Sequence, residues 1–267
     1  MAIIQATQVN AIRGARGGGS VALNFGDEKI QSSAQEFDLG QRGQTPDGRV
    51  YRYAKNSSAA LTTSGNLLDG IALVAAHDMD VPCTGSTAAG SSTLSLEVPT
   101  TDLTLNQYAG GYLIINDGPG IGEVYRILSH PVHDASDDAT VIITLDEVTA
   151  TATTTSTLVG LVYSPYKDVK VVEGDGTMTT GPLGLNPMPV TASYYFWMQT
   201  SGITSVLAGA AVGIVGDGLK LSQASGESGA ADLFDVSTNA DTESIGTAMG
   251  IPSVATDTQI ANLSIID

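Results

Sequence analysis

The chain is poor in most of the residues that fasten a fold or carry out reactions. It has one cysteine, Cys83, so no disulfide can form within it, and stability has to come from packing, size or assembly. Charged residues make up 15% of the chain, against about 25% in ordinary soluble proteins. Basic residues are the scarcer sign: 11 Lys and Arg face 28 Asp and Glu, a formal net charge of −17. A charge of that sign repels phosphate backbones, so nucleic acid is not an expected partner. No run approaches the 18 apolar residues that a bilayer span requires, so no membrane partner is expected. The N-terminus, Met1 to Gln5, lacks a charged region followed by a long apolar run, and no signal peptide is expected. The shortfall in charge is made up by Gly, Ser, Thr and Ala. This composition suits turns and strands and suits helices badly.

What is present reads as strands. The first 60 residues hold seven of the basic residues, among them Arg13, Arg16, Arg42 and Arg49, and are close to neutral. Gly14 to Ser20 is a flexible punctuator, and Pro46-Asp47-Gly48 is turn chemistry in which Pro fixes φ and Gly supplies positive φ. The segment 1–60 reads as an extended N-terminal arm, although Arg49 to Ala54 alternates like a strand. Ile71 to Ala76 reads as a short buried run and Thr93 to Val98 as a half-buried strand, with a Gly/Ser/Thr/Ala loop between them. Residues 108–127 give the clearest hairpin: Tyr112 to Ile115 and Glu123 to Ile127 flank Asn116-Asp117-Gly118-Pro119-Gly120-Ile121-Gly122. Val141 to Leu145 and Leu158 to Tyr163 add two strands, joined by a Thr/Ala linker, Thr149 to Thr157. Further strands are expected at Val169 to Val172, in the Gly-rich stretch 206–221, at Ser244 to Gly250 and from Gln259 to Ile266. So many short strands predict an all-β protein: two small sandwich- or barrel-like units, 61–168 and 169–267, behind the arm.

Tyr194-Tyr195-Phe196-Trp197 concentrates a scarce resource, because the chain has 1 Trp, 4 Phe and 9 Tyr. On a strand, Tyr194 and Phe196 share one face and Tyr195 and Trp197 the other. Rings on both faces mean cover on both faces, so this is either the central strand of a β-domain or a strand facing a partner chain.

The usual catalytic patterns are not met. Gly118-Pro119-Gly120-Ile121-Gly122 precedes a strand, not the helix that a dinucleotide fingerprint opens. His130, His133 and Asp134 have a metal-like composition, but no third ligand stands at zinc spacing and no calcium loop is complete, so a solvated loop is expected. His77-Asp78-Met79-Asp80 is a weaker version of the same pattern. Cys83 has no placed histidine partner and reads as a buried small hydrophobe. No nucleophile elbow is present. No enzyme activity, cofactor or metal is expected.

Three pieces together resemble the decoration, or cement, proteins of tailed-bacteriophage heads: Gly110 to Ile127; Val159 to Val172 with Tyr163-Ser164-Pro165-Tyr166-Lys167-Asp168-Val169; and Tyr195 to Gly202 with Ile245 to Gly250. The resemblance covers about 108–250 and is one of pattern. It implies a β-rich virion protein, often a homotrimer, on the outer surface of the capsid, where it bridges subunits of the major capsid protein. On that view the arm, Ile3 to Tyr53, adds strands to capsid sheet edges. Arg13, Arg16, Arg42 and Arg49 pair with capsid carboxylates, Tyr51 and Tyr53 lie on the same arm, and Tyr194 to Trp197 pack the trimer or the body core. The alternative is a tail or surface adhesin that binds a host glycan or receptor, with Trp197 or Tyr108 as its stacking platform.

Overall fold

The computed structural model describes residues 19–98, 100–137, 140–174, 178–209, 215–233, 244–250 and 257–265. Among them there is no α-helix, only one 3-10 turn at Asp27–Lys29. In chain order the strands are β1 (Val21–Ala22), β2 (Gln31–Ser32), β3 (Arg42–Gln44), β4 (Val50–Lys55), β5 (Leu67–Asp69), β6 (Val81–Pro82), β7 (Thr93–Leu96), β8 (Tyr112–Asp117) and β9 (Val124–Ser129). They continue with β10 (Val141–Leu145), β11 (Leu158–Val162), β12 (Lys170–Val171), β13 (Gly184–Leu185), β14 (Tyr195–Leu207), β15 (Gly218–Leu221), β16 (Ala231–Leu233), β17 (Gly246–Gly250) and β18 (Thr258–Ser264). The all-β class expected from composition is what the chain forms.

The division of the chain differs from the expected one. One unit comprises 1–71 together with 165–267, and the other is the stretch 72–164 inserted between them. The described part of 1–60 is not an arm, because β4 lies beside β14, with Tyr53 opposite Trp197 and Tyr51 opposite Gln199. The aromatic and apolar side chains of that segment need cover, and the C-terminal half of the chain supplies it. Residues 71–76, expected to be buried, belong to no strand, and Ala72, Leu73 and Ala75 are exposed.

In the larger unit the sheet runs β1-β3-β4-β14-β18-β17-β15-β16, with β2, β5, β12 and β13 branching off this path. β14 organises it. Its first half pairs with β4, its second half with β18, and a bulge between Gln199 and Ser201 separates the two registers. Gly202 follows at φ 92°, a left-handed conformation that glycine adopts without strain. The alternation of the aromatic run is realised as expected. Phe196 and Met198 are buried with Ala54, Leu68, Val169 and Leu183, and Tyr194 packs at that cluster's edge. On the opposite face Trp197 joins Leu23, Tyr51 and Tyr53, with Val21, Phe37 and Tyr195 alongside. Ring centroids lie 5.0 Å apart for Phe37–Trp197 and 5.1 Å for Tyr53–Trp197. Such pairs add about 0.5–1.5 kcal/mol each beyond their burial. Gly43 makes room for the indole: a Cβ there would sit 2.8 Å from Trp197 Cζ3 and 2.8 Å from Leu23 Cδ1.

Further along β14 an aliphatic cluster takes over, built on Leu67, Leu185, Val206, Leu219, Ala261 and Leu263. Asp69 is fully buried at the sheet's side and accepts hydrogen bonds from the backbone N–H groups of Thr179, Thr180 and Gly70 and from the Thr180 hydroxyl, at 2.5–2.9 Å. A buried carboxylate is tolerable because donors surround it in this way.

The smaller unit is a six-stranded antiparallel sheet in the order β6-β11-β8-β9-β10-β7. Its end strands meet through a bridge between Cys83 and Leu96, so the sheet curls closed. Alternate residues point inward, and Val81, Leu94, Leu96, Leu113, Ile115, Ile127, Ile143, Val159 and Leu161 are buried at 2% exposure or less. The β8–β9 hairpin falls where the sequence places it, with Gly118, Gly120 and Gly122 all at positive φ. The Thr149–Thr157 stretch links β10 and β11 as expected and is also packed into the unit. Thr149, Thr153 and Thr157 are buried, and its backbone bonds with the 83–91 segment.

Candidate functional site

Among its described residues the larger unit leaves one sheet face exposed. On β18 the inward residues Gln259, Ala261 and Leu263 are buried while Thr258, Ile260, Asn262 and Ser264 are exposed. On β17 Ala248 is buried, and Thr247 and Met249 are exposed. On β14 Ile203 and Ser205 face the same side, since Ile203 pairs with Asn262 and Ser205 with Ile260. Thr247 also pairs with Asn262, and Gly250 with Ile260. The result is a patch of Ile203, Ile260 and Met249, at 51%, 53% and 48% exposure, set among Ser, Thr and Asn. None of its side chains is charged, on a chain of net charge −17. A mixed apolar and hydroxyl face of this kind can bury itself against another protein without desolvating an ion.

The residues expected to touch a partner are placed otherwise. Arg13 and Arg16 lie outside the described residues. Arg49 is engaged within the chain, with its guanidinium 2.8 Å from Asp47 and 3.6 Å from buried Glu28, above the Tyr51 ring. These contacts hold the Asp47 carboxyl below its ordinary range, the Thr45 hydroxyl contributing most. Arg42 donates to Gln44 Oε1 at 3.1 Å. Tyr51 and Tyr53 are not on a partner-facing arm. They are 0% and 3% exposed, and burial pushes both phenols well above their ordinary range. The reason is the register with β14, which turns both rings toward Trp197. Tyr194 and Tyr195 are half-buried, and Phe196 and Trp197 are core residues. The stacking platforms required by the adhesin alternative, Trp197 and Tyr108, are both buried.

The histidines depart furthest from expectation. His77, His130 and His133 do not sit in solvated loops; all three are buried, at 0%, 3% and 1% exposure. They gather with Tyr108 and Tyr163 where β7, β9 and β11 end and where β6 and β8 begin. Loop composition disguised them, because Asp134, Asp137 and Asp78 beside them point to solvent exposure. The one available signal was at His130, which directly follows the apolar strand β9 (Val124–Ser129). Among the described residues no group of three His, Cys, Asp or Glu is arranged to hold a metal ion. Cys83 is buried as expected, and burial raises its thiol to about 11.

No family model, curated protein or solved structure matches the chain.

Proposed function

We propose that this protein is a structural component of a tailed-phage virion, a decoration protein that binds the outside of the head and stabilises it by bridging major capsid subunits. What supports this is the uncharged face of β14, β18 and β17. An acidic body built of strands presents one surface where a neighbouring protein can be met without charge repulsion or ion desolvation. The patterned resemblance of residues 108–250 to the cement proteins supplies the partner. Arg49 is engaged within the chain, so the arginines assigned to capsid carboxylates are Arg13 and Arg16 of the first 18 residues. Several such contacts per particle, each weak, add by avidity.

The test is binding to empty heads of the cognate phage, measured by sedimentation and mass. Ile203→Glu with Ile260→Glu places two carboxylates on the face and is expected to abolish binding, while the melting temperature changes little. Deleting residues 1–18 is expected to weaken binding and leave the body folded. Deletion to residue 50 is uninformative, because it removes Leu23 and Phe37 from the core. Unaltered occupancy by the double Glu variant would refute the assignment of the face.

A further inference from the structure

All three histidines of the chain lie in the smaller unit, and one of them, His130, is hydrogen-bonded in a way that admits only the neutral ring. His130 Nε2 stands 3.0 Å from the backbone nitrogen of Tyr108 and must accept that N–H, and its Nδ1 donates to the Pro131 carbonyl at 2.8 Å. A second proton on the ring would lie on Nε2, facing the Tyr108 N–H, and the bond would be lost. His77 is held between the Tyr108 hydroxyl, 2.7 Å from Nδ1, and the Thr101 carbonyl, 3.2 Å from Nε2. The carbonyl can only accept, so Nε2 carries the hydrogen, and in the neutral ring Nδ1 accepts from Tyr108; a proton on Nδ1 reverses that bond. His133 Nε2 donates to the Val98 carbonyl at 2.9 Å. Tyr108 itself is fully buried, stacks on Tyr163 at 4.6 Å and meets both His77 and His130 edge-on or tilted. This cluster therefore ties together the loops that close one end of the barrel.

We infer that the cluster is an acid-sensitive latch: the closed end of the smaller unit requires neutral His130 and His77, and protonating them releases the loops while the larger unit stays folded. Among the described residues the ionisable groups at the rings include Asp78, His133, Tyr108 and Tyr163, with Asp134 next to His133. Burial, helped by His133, lowers His77 below its ordinary value and outweighs the Thr101 carbonyl and Asp78, which favour the charged ring. A histidine lowered in the closed form stabilises that form above its ordinary value of about 6.5, and the stability is lost as pH falls below it. Each histidine freed on opening multiplies the open population by up to about tenfold per pH unit below that value.

Two residues that each occur once in the chain make the test local. Cys83 is in the smaller unit and Trp197 in the larger. The full chain is labelled with 4,4′-dithiodipyridine, which remains reactive in acid, and the rate at Cys83 is divided by that of free cysteine at each pH. Trp197 fluorescence is read on the same samples. The normalised Cys83 rate is expected to rise about tenfold or more from pH 7.5 to pH 5.5, with the Trp197 emission unchanged. In His77→Asn/His130→Gln the amide oxygens can accept as the ring nitrogens do but do not titrate, so the rise is expected to vanish. A Cys83 rate flat with pH in the wild-type chain overturns the latch, whether or not the variant folds. So does a joint response of Cys83 and Trp197, which is global acid unfolding, and so does an acid response retained by the folded variant.

Discussion

The two units meet the demand for a covered core in opposite ways. The smaller one curls its sheet until the end strands meet, so its interior is filled by Leu, Ile and Val from every strand and the sheet has no open ends. The larger one remains open. It buries both faces of the aromatic half of β14, but only one face of the other half, and Ile203, Ile260 and Met249 are left in solvent. Closure removes strand edges and with them most opportunities for docking. An open sheet keeps edges and a face, and so the larger unit is the one equipped to meet another protein. The histidines sharpen the contrast, because the unit without free edges is the one that contains titratable groups at its closed end.

The sharpest break in that comparison comes from Trp197→Ala. It removes the indole that Phe37, Tyr53 and Leu23 surround and is expected to destabilise the larger unit by about 3–5 kcal/mol. Chemical denaturation followed by circular dichroism measures the loss, with Cys83 labelling at pH 7.5 reporting the smaller unit, where no change is expected. Next is Gly111→Ala in the smaller unit. Its Cβ would stand 2.2 Å from the Val162 carbonyl oxygen, a backbone clash that no rotamer relieves. A cost of about 1–3 kcal/mol is expected, with Cys83 labelling accelerated and Trp197 emission unaltered. Gly43→Ala presses on the ends of side chains, Leu23 and Trp197, and not on backbone. It is expected to cost about 1–2 kcal/mol, near the low end of the overpacking range, and to shift the Trp197 emission maximum. The smallest effect is expected for Asp47→Ala, which breaks the partly exposed pair with Arg49. A change within about 1 kcal/mol, diminishing with added salt, is the expected result.

Local pattern carried much of this fold. The aromatic run Tyr194 to Trp197 reads as a strand covered on both faces, and period 2 alone decides which rings share a face. The 112–127 hairpin is legible because glycines with free φ separate two apolar runs. The pairing of β4 with β14 is not legible. A Gly- and Arg-rich N-terminal segment resembles an arm whether it docks on a capsid or on its own chain, and nothing local in Tyr51 or Tyr53 names Trp197 as their neighbour. The discontinuous larger unit escaped for the same reason: its halves are joined by strand pairing across an insertion, and pairing leaves no mark in composition. As for the uncovered face, the alternation in Thr258 to Ser264 indicates one exposed side. That β14 and β17 extend it without a charge depends on sheet order, which only the structure gives.

The insertion of 72–164 within the larger unit has a consequence for biogenesis. As the polypeptide leaves the ribosome, the strands up to β5 emerge first and can offer Tyr51 and Tyr53 only Leu23, Phe37 and β3 as cover, because β14 with Trp197 has not yet been translated. The barrel emerges next and contains every strand it needs, so it can mature while the larger unit waits for its second half. Throughout that interval the tyrosines of β4 stay only partly covered, and chaperone occupancy on nascent chains is expected to persist until translation has passed Trp197 and then to fall.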